Sequence, residues 1–303
     1  MSSNRKQQRW GVIGGGVLGM TIAHRLRQDG DSVTLFEATD HLGGLADSWQ
    51  LNDVTWDRHY HVTLLSDRYW LQILSELGLK KDMRWVETKT GFYSNHRLHS
   101  MSNTWEFLRF PPLNLLEKFR LGLTIFCASK RKDWRSLERI PVADWLTKWS
   151  GRGAFEKVWL PLLRSKLGDN YRRTSAAFIW ATIARMYAAR RSGLKKEMFG
   201  YVRGGYARIQ QCYHQALLES GVDIKLGTAV KEVSAADSQS LGVVTANGER
   251  EFFDQVVVTL PSRFIGRVCP AFRKTRRFGT RGCNTRVLSV HPPCWRNHWL
   301  ISM

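Results

Sequence analysis

The chain has 303 residues, 43% hydrophobic and 12% aromatic; this supplies a core, excludes a disordered chain and suits about two domains. Lys and Arg outnumber Asp and Glu by 46 to 26, a formal charge of +20, but no zinc-finger spacing or aromatic RNA-binding pattern accompanies it, so no nucleic acid is expected as a partner. "MSSNRKQQRW" lacks an apolar signal region, no stretch nears the ~18 apolar residues of a membrane span, and five scattered cysteines suit a reducing compartment, so the expected location is cytoplasmic.

The first predicted element is a short buried strand, Trp10–Ile13, which breaks into three consecutive glycines. A helix follows over Val17–Asp29, with Val17, Met20, Ala23 and Leu26 near one face and Gly30 as its stop. Val33–Phe36 reads as a second strand, closed by Glu37. Gly14, Gly16 and Gly19 form a G-x-G-x-x-G, with Gly15 inside it. In a dinucleotide-binding turn the first glycine permits the tight bend and the second lets the backbone approach a pyrophosphate at the helix N-terminus. The third lets helix and strand pack closely. Glu37 lies 23 positions after Gly14, where a carboxylate accepts hydrogen bonds from ribose hydroxyls and disfavours a 2′-phosphate. These features in register predict a bound dinucleotide other than NADP, and spacing alone leaves FAD and NAD both open.

"WDRHYHV" sets His59 and His61 two apart, on one face if the segment is extended. A third ligand at suitable spacing is missing nearby, so no metal is expected. From Asp67 to Gly200 the texture is helical. "RYWLQILSELGL" is amphipathic, "PVADWLTKWSG" begins with a proline that suits a first helical turn, and "SAAFIWATIARMYAARR" has a basic end. "FLRFPPLNLLEKFRLGLTIF" mixes aromatics and cations; a core helix pair is expected, with peripheral membrane contact as the other reading. His96 and His99 suit a loop or hairpin, and the basic run Arg185–Lys196 a solvated helix end. Strand texture returns in "VDIKLGTAVKEVSA", in "LGVVTANGEREF" with a hairpin signal at Asn247-Gly248, and in "QVVVTLP". Neither a G-x-S-x-G elbow nor a C-x-x-C pair occurs, so hydrolase and dithiol chemistry are not expected.

"FEATDHLGGLADSW" places a second glycine pair, Gly43-Gly44, six residues after Glu37. Together with the first motif, "YVRGGYARIQQCYHQALLESGVDIKLGTAVKEV", "DQVVVTLPS" and "VWLPLLRSKLGDN", it resembles the flavin-containing amine oxidoreductase superfamily, which includes protoporphyrinogen oxidases, phytoene desaturases and amine oxidases. The resemblance covers about Arg9–Pro261 and implies FAD. It implies that Gly43, Gly44 and Leu45 approach the cofactor and that Val230 meets the adenine through its backbone. His61 is implied to lie towards the flavin, in a stretch that matches D-x-G-x-H at Asp57 and His61 but has His59 in place of the glycine. The expected fold is α/β: a Rossmann-like FAD-binding domain over 8–66 and 200–267, with a mainly helical substrate domain, 67–199, inserted. The implied function is that of an FAD-dependent oxidoreductase passing hydride from a small-molecule or lipid-like substrate to flavin, with no catalytic residue identified. A flavin-dependent nucleotide-sugar mutase and a truncated, non-enzymatic nucleotide-binding remnant are the alternatives.

Residues 268–303 read as an anomalous basic tail. After Asp254 no Asp or Glu occurs in 49 residues that hold nine Arg and Lys, where average composition gives about six acids. No helix or strand periodicity is legible from Ala271 to Met303. An aberrant or truncated C-terminus is therefore expected, through a change of reading frame near residue 270, ahead of a folded basic terminus or a nucleic-acid tail.

Overall fold

Gly11, Val12 and Ile13 form an unbroken run without polar alternation, the pattern of a parallel strand covered on both faces. In the structure, a computed structural model that describes residues 6–89, 91–94, 96–101, 104–190, 198–236, 240–271 and 288–290, all three are buried. They lie in β1 (Arg9–Ile13), followed by α1 (Val17–Gln28), β2 (Ser32–Phe36), β3 (Ser48–Leu51), β4 (Val54–Asp57) and α2 (Arg68–Glu76). Next come β5 (Met83–Glu87), β6 (Gly91–Ser94), β7 (Arg97–Ser100), α3 (Thr104–Leu108), α4 (Leu115–Lys130), α5 (Val142–Ser150), α6 (Arg152–Ala154), α7 (Leu160–Leu167) and α8 (Ala176–Arg190). The chain ends with β8 (Met198–Val202), α9 (Gly205–Glu219), β9 (Asp223–Lys225), β10 (Val230–Ala235), β11 (Leu241–Thr245), β12 (Arg250–Phe253), β13 (Gln255–Val258), α10 (Ser262–Val268) and β14 (Leu288–Val290). Two compact units divide these elements: Met1–His61, Leu74–Asp82 and Val202–Met303 form one, and Val62–Ile73 and Met83–Tyr201 the other.

The first unit is α/β. Its sheet has the order β14-β13-β1-β2-β9, parallel from β13 to β9, with β14 antiparallel at one edge. The antiparallel sheet β10-β11-β12 shares its core: Val243 and Phe253 pack with Phe36, Val256 and Val258. Gly248, with φ +90°, makes the turn between β11 and β12 where the Asn247-Gly248 signal predicts it. α1 buries Gly19, Met20 and Ala23, and α9 buries Ile209, Tyr213 and Leu217. The Tyr213 hydroxyl donates to Thr21 Oγ1 at 3.1 Å, which ties the two helices.

Two expectations for this unit are corrected. β14 falls in the tail where no strand is legible. Three residues are too few to display a period of two, and the strand completes an otherwise open edge of β13; 272–287 and 291–303 lie outside the described residues. β4 ends at Asp57, so His59 and His61 do not share the face of a strand; His59 is exposed and His61 half-buried.

The second unit is mainly helical. α4, α5, α7 and α8 enclose a core that includes Leu121, Leu146, Trp159, Leu163 and Ile179. α4 starts with a capping box: Asn114 Oδ1 accepts from Glu117 N at 2.8 Å, and Asn114 N donates to Glu117 Oε2 at 2.9 Å. Ser150 and Thr124, both buried, are satisfied in the core, where Trp159 Nε1 donates to Ser150 Oγ at 3.1 Å. Pro141 stands at the N-cap of α5, one residue ahead of the first turn, because ψ of 138° makes it extended rather than helical. His99 lies in the β6–β7 hairpin, and His96 at its turn with φ +60°. The expected core helix pair is realised on one side only. α4 buries Leu121, Thr124 and Ala128 and exposes Leu115, Leu116, Phe119, Leu123 and Phe126. The end of the basic run, Arg191–Lys196, lies outside the described residues. Among the described residues no helix is long and apolar enough to cross a membrane.

Leu146 is fully buried between these helices. Leu146→Ala should lower stability by roughly 2–5 kcal/mol, seen as a lower urea midpoint with an unchanged denaturant slope.

Candidate functional site

β1 delivers Gly14 into the turn at φ +107°, a value that favours glycine. A Cβ there would lie 2.6 Å from Thr259 Oγ1. Thr259, just past β13, donates its N–H and its hydroxyl to Ile13 O, each at 2.9 Å. A Cβ on Gly19 would overlap the Gly14 carbonyl oxygen, so α1 approaches the strand this closely only without a side chain. At Gly15 a Cβ would meet Leu42 Cδ2 at 2.5 Å and Glu37 Cβ at 3.0 Å. Gly16 differs: its nearest neighbour would be Gly44 Cα at 4.0 Å, so the space in front of it is open. Gly16 is the N-cap of α1, which has no side-chain cap and no acid in its first turn. Its leading amides and positive dipole end therefore have no side chain from the cap or the first turn to serve them, an arrangement suited to a bound anion.

The second glycine pair meets the first directly. Gly16 and Gly43 form a parallel bridge, and Gly43 N donates to Gly15 O at 2.9 Å. Gly43 and Gly44 have φ of +144° and +59°, and a Cβ on Gly44 would stand 3.1 Å from Gly16 Cα. Gln210, from α9, fills the space where a Gly43 side chain would be, and its amide donates to Ala46 O. Leu45, on the short turn Gly44–Ala46, is exposed.

Glu37 leaves the end of β2 and turns back over the glycines. Its Oε2 accepts from Gly15 N at 2.6 Å, and Oε1 accepts from the N–H and hydroxyl of Thr39, both at 2.9 Å. Three donors occupy a group with roughly four acceptor sites, so the carboxylate holds the turn and keeps about one acceptor site spare. Glu37 N donates to Lys225 O, Thr228 N to Glu37 O, and Gly227 N to Thr39 O. These bonds bring the start of β10, with Val230, to the same end of the sheet. His61 belongs to a different cluster: its ring lies 4.5 Å from that of Tyr206, and its buried Nδ1 has no hydrogen-bond partner. Tyr206 N, in the first turn of α9, donates to Asp57 Oδ1 at 3.2 Å after the left-handed Gly204 and Gly205. Direct contacts thus join Gly14, Gly15, Gly16, Gly19, Glu37, Gly43 and Gly44. Leu45 and Val230 lie beside them, and His61 sits with Asp57 and Tyr206. Sequence reasoning misses Thr259 and Gln210, which prop the two glycine turns from distant parts of the chain.

The sequence matches the family of flavin containing amine oxidoreductases over residues 19–301, a span that includes most of the basic tail. It is 27% identical over 207 residues to the zeta-carotene desaturase of Synechocystis sp., covering 60% of this chain and 42% of that protein. Over 94 residues it is 34% identical to the coproporphyrinogen III oxidase of Mycobacterium tuberculosis, covering 30% of this chain and 21% of that one. The fold superposes on wild-type putrescine oxidase bound to putrescine with a TM-score of 0.64 at 19% identity, covering 87% of this chain and 60% of that one. The chain therefore spans less than half of the desaturase that it matches.

Packing separates Gly16 from Gly19. Gly16→Val points a side chain into open space, so the melting transition should stay near that of the parent. Gly19→Ala drives a methyl into the Gly14 carbonyl and should depress the melting temperature. Thermal melts of both purified variants check the contrast.

Proposed function

The chain belongs to the flavin containing amine oxidoreductase family, and from that membership we propose that it binds FAD and oxidises an organic substrate by passing hydride to the flavin. The Gly16–Gly43 bridge carries this reading, because it joins two side-chain-free turns in front of an uncapped helix N-terminus. In this reading the amides at the start of α1 bind the pyrophosphate, with Gly14, Gly15, Gly16 and Gly19 keeping side chains away. Glu37 accepts from the adenosine ribose, sharing its carboxylate with Gly15 and Thr39. Gly43, Gly44 and Leu45 border the cofactor, Val230 offers backbone to the adenine, and His61 lies towards the flavin. Bound flavin supplies a two-electron acceptor for a substrate C–H or C–N bond. The protein contributes binding, orientation and exclusion of water.

A sizeable, partly apolar substrate is the class favoured. The helical unit is rich in Trp and Arg, and two of the matched relatives are named for a carotene and a porphyrinogen. A second reading, peripheral contact with the inner face of a membrane by a cytoplasmic protein, is supported by α4. Leu115, Leu116, Phe119, Leu123 and Phe126 occupy a single helical arc, all exposed, and Lys130 falls in the same arc.

Purified protein should show flavin absorbance bands that are released on denaturation. Glu37→Ala should weaken FAD affinity roughly ten- to hundredfold, the loss of hydrogen bonds to a charged acceptor. A colourless protein that FAD does not load would end the reading. In anaerobic titration, reduction only by small polar amines would exclude the large-substrate class, and turnover without net flavin reduction would favour a mutase. For the membrane reading, Phe119→Glu with Leu123→Glu should abolish co-sedimentation with anionic lipid vesicles and leave flavin content unchanged.

A further inference from the structure

The loop 38–47 carries Gly43-Gly44 against the first glycine turn and is held at several points. Thr39 bonds to Glu37, Gly43 N to Gly15 O, and Ala46 O accepts from Gln210. His41 adds a closure across the glycine turn itself. Its Nε2 lies 3.1 Å from Asp47 Oδ2, and its Nδ1 2.5 Å from Asp40 Oδ1. Carboxylates only accept hydrogen bonds, so an imidazole that serves one from each nitrogen must carry a proton on both. The Asp47 side chain is only 7% exposed, and a carboxylate withdrawn from water requires compensation. It receives this from His41, from Arg58 Nη1 at 2.9 Å and from Ser48 N at 2.7 Å. Arg58 N also donates to Asp47 O at 2.9 Å, which anchors this side of the loop to the end of β4.

We propose that His41 is a positioning residue whose imidazolium form closes the cofactor loop, so that FAD is held tightly when His41 is protonated and released more readily when it is not. The proposal rests on the FAD reading above. The charged groups facing His41 are Asp40 and Asp47; Arg58 Nη1 shares Asp47 Oδ2 with the imidazole, and Glu37 stands at the start of the loop. The neutral ring has one N–H, so one nitrogen must turn a lone pair towards a carboxylate. Asp40 is exposed and can swing away, so the single N–H of the neutral ring stays on Nε2, towards the buried Asp47. The bond across Gly43-Gly44 then loses the imidazolium charge that strengthens it, and the glycine bridge is held less firmly.

The hydrogen bond to Asp47, then that to Asp40, raises the His41 pKa above its ordinary 6.5. At Asp47 burial alone would raise the pKa, but hydrogen bonds from His41 and from Ser48 N outweigh it, and the carboxyl is held below its usual 3.8. A raised histidine contributes fully below 6.5, and its contribution disappears as pH rises through the raised value. On the acid side the closure persists until Asp47 takes a proton, below 3.8.

The test is the FAD dissociation constant, read from flavin fluorescence between pH 6 and 9, together with the His41 ring resonances followed by NMR. In the parent protein affinity should fall roughly three- to fivefold across the His41 titration, as the bond to Asp47 passes from a charged donor to a neutral one. Asp47→Asn should lower the His41 pKa. His41→Arg, charged throughout, should bind tightly with a flat profile, and His41→Gln should bind weakly with a flat profile. If His41→Gln fails to fold, the parent and His41→Arg profiles decide. Saturable FAD binding with no pH dependence in the parent, or the parent's pH dependence persisting in His41→Arg, overturns the proposal and leaves FAD binding intact. Absence of FAD binding at every pH overturns both.

Discussion

The contact between Gly16 and Gly43 is the constraint on which the rest of the first unit depends. Two backbone segments 27 residues apart in sequence pair as if they were strands, with no side chain between them. A backbone hydrogen bond contributes only about 0.5–1.5 kcal/mol net, so the bridge is not held by its own bond. It is held by what crowds around it. Thr259 fixes the end of β1 from one side, Gln210 fills the concavity behind Gly43, and Glu37 ties Gly15 to the end of β2. Each prop occupies a place where a Cβ on the neighbouring glycine would collide. The glycines are therefore demanded by packing at Gly14, Gly15, Gly19 and Gly43, whereas at Gly16 packing leaves room for a side chain.

This distinction explains what was legible in the sequence. The strand, turn, helix, second strand and terminal acid at the N-terminus could be read because each obeys a local rule: an apolar run, glycines at fixed offsets, a helical period, a stop. The parallel order around β1 and the α/β class follow from that unit and from the helical texture after it. The second glycine pair was readable only through resemblance, since nothing local says what two glycines after an acid approach. Thr259 and Gln210 were not readable, because their roles exist only once the chain has returned to the sheet some two hundred residues later. Local reading also gave Glu37 a single task, whereas the fold gives its carboxylate three donors from the chain itself.

The helical unit shows a different limit of pattern. Leu115 to Phe126 is apolar on two opposed arcs, and a helix that is apolar all round reads as a buried one. The sequence therefore points to a core helix pair. In the structure the arc of Leu121, Thr124 and Ala128 enters the core, and the arc of Leu115, Phe119 and Phe126 does not. Periodicity reports that a face is apolar; which of two such faces is buried depends on the neighbours that α5 and α8 provide. The exposed arc is the larger in side-chain volume, so its exposure has a cost that a partner surface of low polarity would offset.

In the proposed reading, main-chain geometry at the glycine turns bears on a phosphate and a ribose and not on what is oxidised. This is consistent with one fold shared, at 19% and 15% identity to this chain, by proteins named as an oxidase of putrescine and as a fatty acid isomerase. Selectivity has to come from side chains. In the first unit the 38–47 loop has a titratable one, His41, facing two carboxylates. In the proposed reading the glycines define where a dinucleotide lies, and the side chains beside them set the conditions under which it stays.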